Sequence, residues 1–95
     1  MTGGYNMLYA TKLRMNYGCR NSKYPEDIDQ IYIHEHGWYK KATLHDHLKQ
    51  HPKSIVVNIP PFPYLIPAVS SNREKYVRSN PDPYKHDDLM DLPKE

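Results

Sequence analysis

Ser54-Ile-Val-Val-Asn-Ile59 is the strongest strand signal in the chain, and the fold is read outward from it. A short run rich in Ile and Val, with little polar alternation, is the pattern of a strand buried on both faces, so it is expected at the centre of a sheet. Pro60-Pro61-Phe62-Pro63 then removes backbone donors and makes a stiff corner. The next strand, Tyr64-Leu-Ile-Pro-Ala-Val69, carries Pro67 and is therefore expected at a sheet edge. Ser70-Ser-Asn-Arg73 is turn chemistry, and Glu74-Lys-Tyr-Val-Arg78 supplies a last short strand.

Upstream of the run, Pro52 stops a helix that begins near Thr43, read as its N-cap, and ends near His51, with Leu44 and Leu48 one turn apart. His36-Gly37-Trp38 breaks the segment before it. At the front, alternation places Tyr9, Thr11, Leu13 and Met15 on a buried face and Lys12 and Arg14 on the other, which predicts a first strand. Ile28-Asp-Gln-Ile-Tyr-Ile33 reads as its antiparallel partner across a basic loop. The expected fold is α+β, a small antiparallel sheet of four to five strands with one helix packed on one face and a C-terminal clasp. Residues 1–95 are read as a single small domain, with residues 1–4 disordered and residues 79–95 forming the irregular clasp.

The chain has 95 residues, which leaves only a thin core, and nine tyrosines, one Trp and one Phe supply much of the surface available to fill it. A net charge of +2, with acids and bases interspersed, gives no strong overall field, so a basic patch must be assembled by folding. The lone Cys19 has no internal disulfide partner and fits a reducing compartment. No apolar run approaches the roughly 20 residues of a membrane span, and the first residues lack a leader pattern. The cytoplasm is the expected compartment, with no membrane partner.

The tail is the most specific stretch. Tyr76-Val-Arg-Ser-Asn-Pro-Asp82 is followed by Asp87-Asp-Leu-Met-Asp-Leu-Pro93, which spends leucines and a methionine among turn-formers and acids. Asp82 and Asp87 are placed to accept bonds from nearby amides, and Leu89 and Leu92 lie on one side of a single helical turn. Burying each leucine contributes roughly 2 kcal/mol, so the stretch is expected to close the core. Arg78 is expected against Asp82 or Asp87 as an internal ion pair.

At these residues the sequence resembles the uncharacterised bacterial and phage family catalogued as domain of unknown function 3892. The resemblance rests on Tyr76, Val77, Arg78, Ser79, Asp82, Asp87, Leu89, Leu92 and Pro93. It extends more weakly to Ala10–Met15, Gly37-Trp38 and Ile55–Ile59, and it departs at Asp88, where the family usually shows Asn. It implies a fold class, and a phage or host-defence setting, without implying an activity.

Chemistry-bearing residues form no strong motif. His34-Glu-His36 and His45-Asp-His47 contain ligand types, yet His45 and His47 do not share a helix face, and no cysteine pair joins them, so no metal and no cofactor are expected. Cys19 sits in no nucleophile motif, and the four glycines make no phosphate loop, so no catalytic residue is assigned and no enzyme activity is expected. Trp38 is read as a core plug or an interface anchor, with the core preferred. The expected function is a small non-enzymatic binding or regulatory protein acting through a protein partner or self-association, with Lys12, Arg14, Trp38, Tyr64 and Arg78 as binding residues. The alternative is a nucleic-acid-binding module, its basic residues brought together by pairing of the first and last strands.

Overall fold

The computed structural model describes residues 7–95, so the expected disorder of residues 1–4 lies outside the described residues. The element order is β1 (Leu8–Met15), a 3-10 turn (Pro25–Asp27), β2 (Ile28–Ile33), β3 (Gly37–Lys40), α1 (Lys41–Gln50), β4 (Ile55–Val57), β5 (Ile66–Val69), β6 (Lys75–Arg78) and a second 3-10 turn (Asp88–Asp91). The class is α+β. The strands divide into a four-stranded sheet of order β3-β2-β1-β4 and a two-stranded sheet β5-β6.

The larger sheet is mixed rather than wholly antiparallel. β1 pairs antiparallel with β2, and β2 with β3, but β1 and β4 run parallel, with Leu8, Tyr9 and Ala10 opposite Ile55, Val56 and Val57. The helix between β3 and β4 provides the crossover that a parallel pair requires. β4 is last in the sheet order instead of central, yet its outer edge is not bare. Val57 N donates to Pro63 O at 2.9 Å and Leu65 N donates to Ile55 O at 2.8 Å, so the returning chain covers that edge. All three β4 residues are buried, which accounts for the apolar run without a central position.

β1 departs from strict alternation. Ala10 stands opposite Ile33 and Lys12 opposite Tyr32, so Thr11 is an extra residue, a bulge that re-phases the strand. Ala10 and Leu13 point into the core, and Tyr9 is exposed rather than buried. Thus Tyr9, Lys12 and Arg14 share the outer face although their numbers differ in parity. A second irregularity on the β2 side, between Arg14↔Gln30 and Met15↔Ile28, restores Ile28 to the inner face.

His36-Gly37-Trp38 turns the chain instead of ending the sheet. Glu35 at φ 68° and Gly37 at φ 106° reverse it, and β3 returns with Trp38 opposite Tyr32 and Lys40 opposite Gln30. The helix begins earlier than the sequence indicates. Lys40 is its N-cap, in extended conformation as the last residue of β3, so Thr43 lies within the helix. Leu44 and Leu48 do face the core, as their spacing requires.

One apolar cluster unites Ala10, Leu13, Ile31 and Ile33 of the sheet's inner face with Leu44 and Leu48 of α1, Val77 of β6, and Leu89, Met90 and Leu92 of the tail. The tail then runs beside β1 beyond the end of β4. Leu13 N donates to Pro93 O at 2.8 Å and Glu95 N donates to Leu13 O at 2.8 Å. The C-terminal clasp is therefore both a core lid and an added length of sheet. No helix among the described residues is long and apolar enough to cross a membrane.

Candidate functional site: the outer face of the sheet

Strand alternation fixes what the outer face carries. Lys12, Tyr32 and Trp38 form one row across β1, β2 and β3, and Arg14, Gln30 and Lys40 form the next. None of the six is buried. The Arg14 guanidinium lies over the Trp38 ring at 4.1 Å and donates to Gln30 Oε1 at 3.1 Å. Lys12 Nζ stands 5.0 Å from the centre of the Tyr32 ring, and the Tyr32 and Trp38 rings meet edge to face at 5.3 Å. These contacts hold the long cationic side chains against aromatic rings, which limits the rotamer freedom that a ligand would otherwise have to remove. Lys12 also faces Glu95 at 3.9 Å, both half-exposed, a pair weakened by solvent.

Farther along the same face, Tyr9, Val56 and Tyr64 line up across β1, β4 and the returning chain. Val56 floors a shallow apolar depression of about 390 Å³ rimmed by Met7, Tyr9, Phe62 and Tyr64. The outer face thus has a basic-aromatic half and an apolar half that meet along β1.

Four of the sequence-predicted binding residues, Lys12, Arg14, Trp38 and Tyr64, come together on this face. Trp38 is not a core plug, because its register opposite Tyr32 directs it to the outer side of an edge strand. Arg78 does not join them, because β6 pairs with β5 and not with β1. Tyr9, Tyr32 and Lys40 belong to the face and were not singled out from the sequence. Tyr32 was legible, since it stands between the inward Ile31 and Ile33; Lys40 was hidden by the unrecognised β3.

Arg78 and its neighbours are structural. The Arg78 side chain is buried, with Nε donating to Asn80 O at 2.6 Å and Nη1 to Tyr76 Oη at 2.9 Å, and with Asp87 Oδ2 at 3.8 Å. Asp87 accepts from Ser79 N, Ser79 Oγ, Asn80 N and Leu89 N. Asp82 accepts from Tyr84 N at 2.9 Å, which shapes the loop. Beside Arg78 opens a cleft of about 620 Å³ between Tyr24 and Tyr84, both largely exposed, with Lys23 and Lys85 at its walls. Its only buried charges, Arg78 and Asp87, are already engaged in holding the tail.

The histidines are dispersed. His34 and His36 are exposed in the β2–β3 turn, whereas buried His45 donates from Nδ1 to Tyr76 O at 3.1 Å and ties α1 to β6. His47 and His51 stack at 5.0 Å, and burial, reinforced by the neighbouring His51, lowers the His47 pKa below its ordinary 6.5. Among the described residues, His86, Asp88 and Asp91 form a group with ligand atoms within 4.8 Å of one another, a combination the sequence spacing did not single out. His86 Nε2 bonds Asp91 at 2.9 Å, and that bond raises the His86 pKa above 6.5. Cys19 is half-buried, in a loop held by Asn16 and Asp27. No family model, curated protein or solved structure matches the chain.

Proposed function

We propose that the chain is a small non-enzymatic binding protein whose working surface is the outer face of the larger sheet, and that its ligand is nucleic acid. The observation that carries this reading is the convergence of Lys12, Arg14 and Lys40 with Tyr32 and Trp38 on adjacent strands. Dispersed charge in a chain of net +2 becomes a local cationic patch there. Cations bind phosphates, and aromatic rings bind bases, so the two residue types together fit a polynucleotide better than either fits alone.

Binding of fluorescently labelled polynucleotides, single-stranded and duplex, followed by anisotropy at about 50 mM salt tests this reading. Binding should weaken with salt with a log–log slope of roughly −2, the value for about three phosphate contacts on a single strand. The triple substitution Lys12→Ala, Arg14→Ala, Lys40→Ala should abolish it. Absence of binding to any polynucleotide at low salt would remove the reading.

A protein partner or self-association is the second reading, favoured by the apolar depression around Val56. Sedimentation distinguishes it: self-association through that depression should persist at high salt and disappear in Tyr64→Ser. We also propose kinship with the bacterial and phage family that the tail resembles, carried by the residues that hold the clasp, with a phage or host-defence setting as its context.

A further inference from the structure

Given that nucleic-acid reading of the outer face, on which this step rests, we infer that the ligand is single-stranded, with unpaired bases stacked on the Tyr32–Trp38–Arg14 cluster and on Tyr9. The face is too poor in charge to hold a duplex by phosphate contacts alone. It offers Lys12, Arg14 and Lys40, and Lys12 already shares its charge with Glu95 at 3.9 Å. Proteins whose duplex affinity is dominated by the phosphate backbone can neutralise many more phosphates, on the order of six to ten. Stacking must supply the remainder, and stacking needs accessible π-faces on both partners.

The protein provides them. Tyr9 is 41% exposed, and the Trp38 ring carries the Arg14 guanidinium at 4.1 Å, a plane on which bases also stack. Neighbouring strands lie about 4.8 Å apart, and successive outward residues along a strand about 7 Å apart. These side chains thus stand on adjacent strands of one sheet face, with Tyr32 and Trp38 edge to face and the Arg14 plane over the Trp38 ring. In a duplex the bases hide their π-faces in the helical stack, and a sheet face pressed against it would meet sugars and phosphates. Only an unpaired strand can lay bases on these rings.

Trp38 is the only tryptophan in the chain, so its fluorescence reports directly on the cluster. The protein is titrated with an oligothymidylate and an oligouridylate of about twelve nucleotides, a length within single-strand site sizes, and with a hairpin duplex of equal length. Saturable quenching by a single strand, at concentrations at least about tenfold below those needed with the duplex, is expected. Comparison of the two single strands assigns DNA or RNA as the source. With a labelled single strand, Trp38→Ala should weaken binding on the order of ten- to a hundredfold, while Trp38→Phe, which keeps a ring, retains most of it. Should Trp38→Ala fail to fold, Tyr9→Ser at the exposed end replaces it, with the weakening again expected. Duplex binding as tight as single-strand binding, or unchanged affinity in the ring-deleted variant, overturns the inference and leaves the nucleic-acid reading standing. Failure of all three ligands to bind overturns both.

Discussion

Asp87 is 2% exposed, and its two oxygens are spread over the amides of Ser79, Asn80 and Leu89 and the Ser79 hydroxyl. Deleting a buried acceptor strands each donor without water, at about 1–3 kcal/mol per group. Asp87→Ala is therefore expected to destabilise the chain by about 3 kcal/mol in urea unfolding, and a loss under about 1 kcal/mol would contradict the assigned role. The engagement of Arg78 with Asp87 was legible in the sequence because opposite charges stand close along one irregular stretch. The place of Trp38 was not, because nothing local distinguishes a ring turned to the core from one turned to a cation across the sheet.

Two histidines give opposite pH signatures. Asp91 raises the His86 pKa, so the stability from that contact is full below pH 6.5 and is lost as pH rises through the elevated value. Burial lowers the His47 pKa, so its contribution is present above pH 6.5 and is lost as pH falls through the depressed value. Histidine ring resonances followed by NMR as pH rises should show His47 losing its proton before His86. Asp91→Asn should return His86 toward 6.5 and leave His47 unmoved.

At the level of elements, the Thr11 bulge decides which residues of β1 can work together. Read as an unbroken alternation, the strand buries Tyr9 with Leu13; with one extra residue, Tyr9 moves to the side of Lys12 and Arg14. A bulge is a property of pairing, and the partner strand is not visible in a local period. β3 escaped for a related reason, since four residues that begin with a glycine carry too little pattern to announce a strand. Gly37 makes the turn at φ 106°, with nothing within 4 Å of an added Cβ, so its requirement is conformational alone. Gly37→Ala should cost about 1 kcal/mol, measured by thermal unfolding, and a neutral result would contradict that requirement. The helix was the more legible element, because Leu44 and Leu48 carry their own spacing; Leu48→Ala should cost about 2–4 kcal/mol.

For the whole molecule, the α+β class could be read from the strand and helix patterning, and the clasp from buried-type residues in a turn-rich tail. The parallel pairing of β1 with β4 and the division into two sheets could not, because both depend on contacts between segments far apart in sequence. The tail joins these parts: it places Leu89, Met90 and Leu92 in the core and bonds the backbone of Leu13 from Pro93 to Glu95. Truncation after Ser79 should abolish cooperative unfolding in circular dichroism, whereas an unchanged melt would free the tail for another use.

The proposal that the outer sheet face is the working surface is tested most directly by mapping amide shifts in ¹⁵N NMR spectra while a short oligothymidylate is added. The expected result is a contiguous set of shifts at Tyr9, Lys12, Arg14, Tyr32, Trp38 and Lys40, with the Tyr24–Tyr84 cleft silent. Shifts confined to that cleft, or none at saturating ligand, would contradict it.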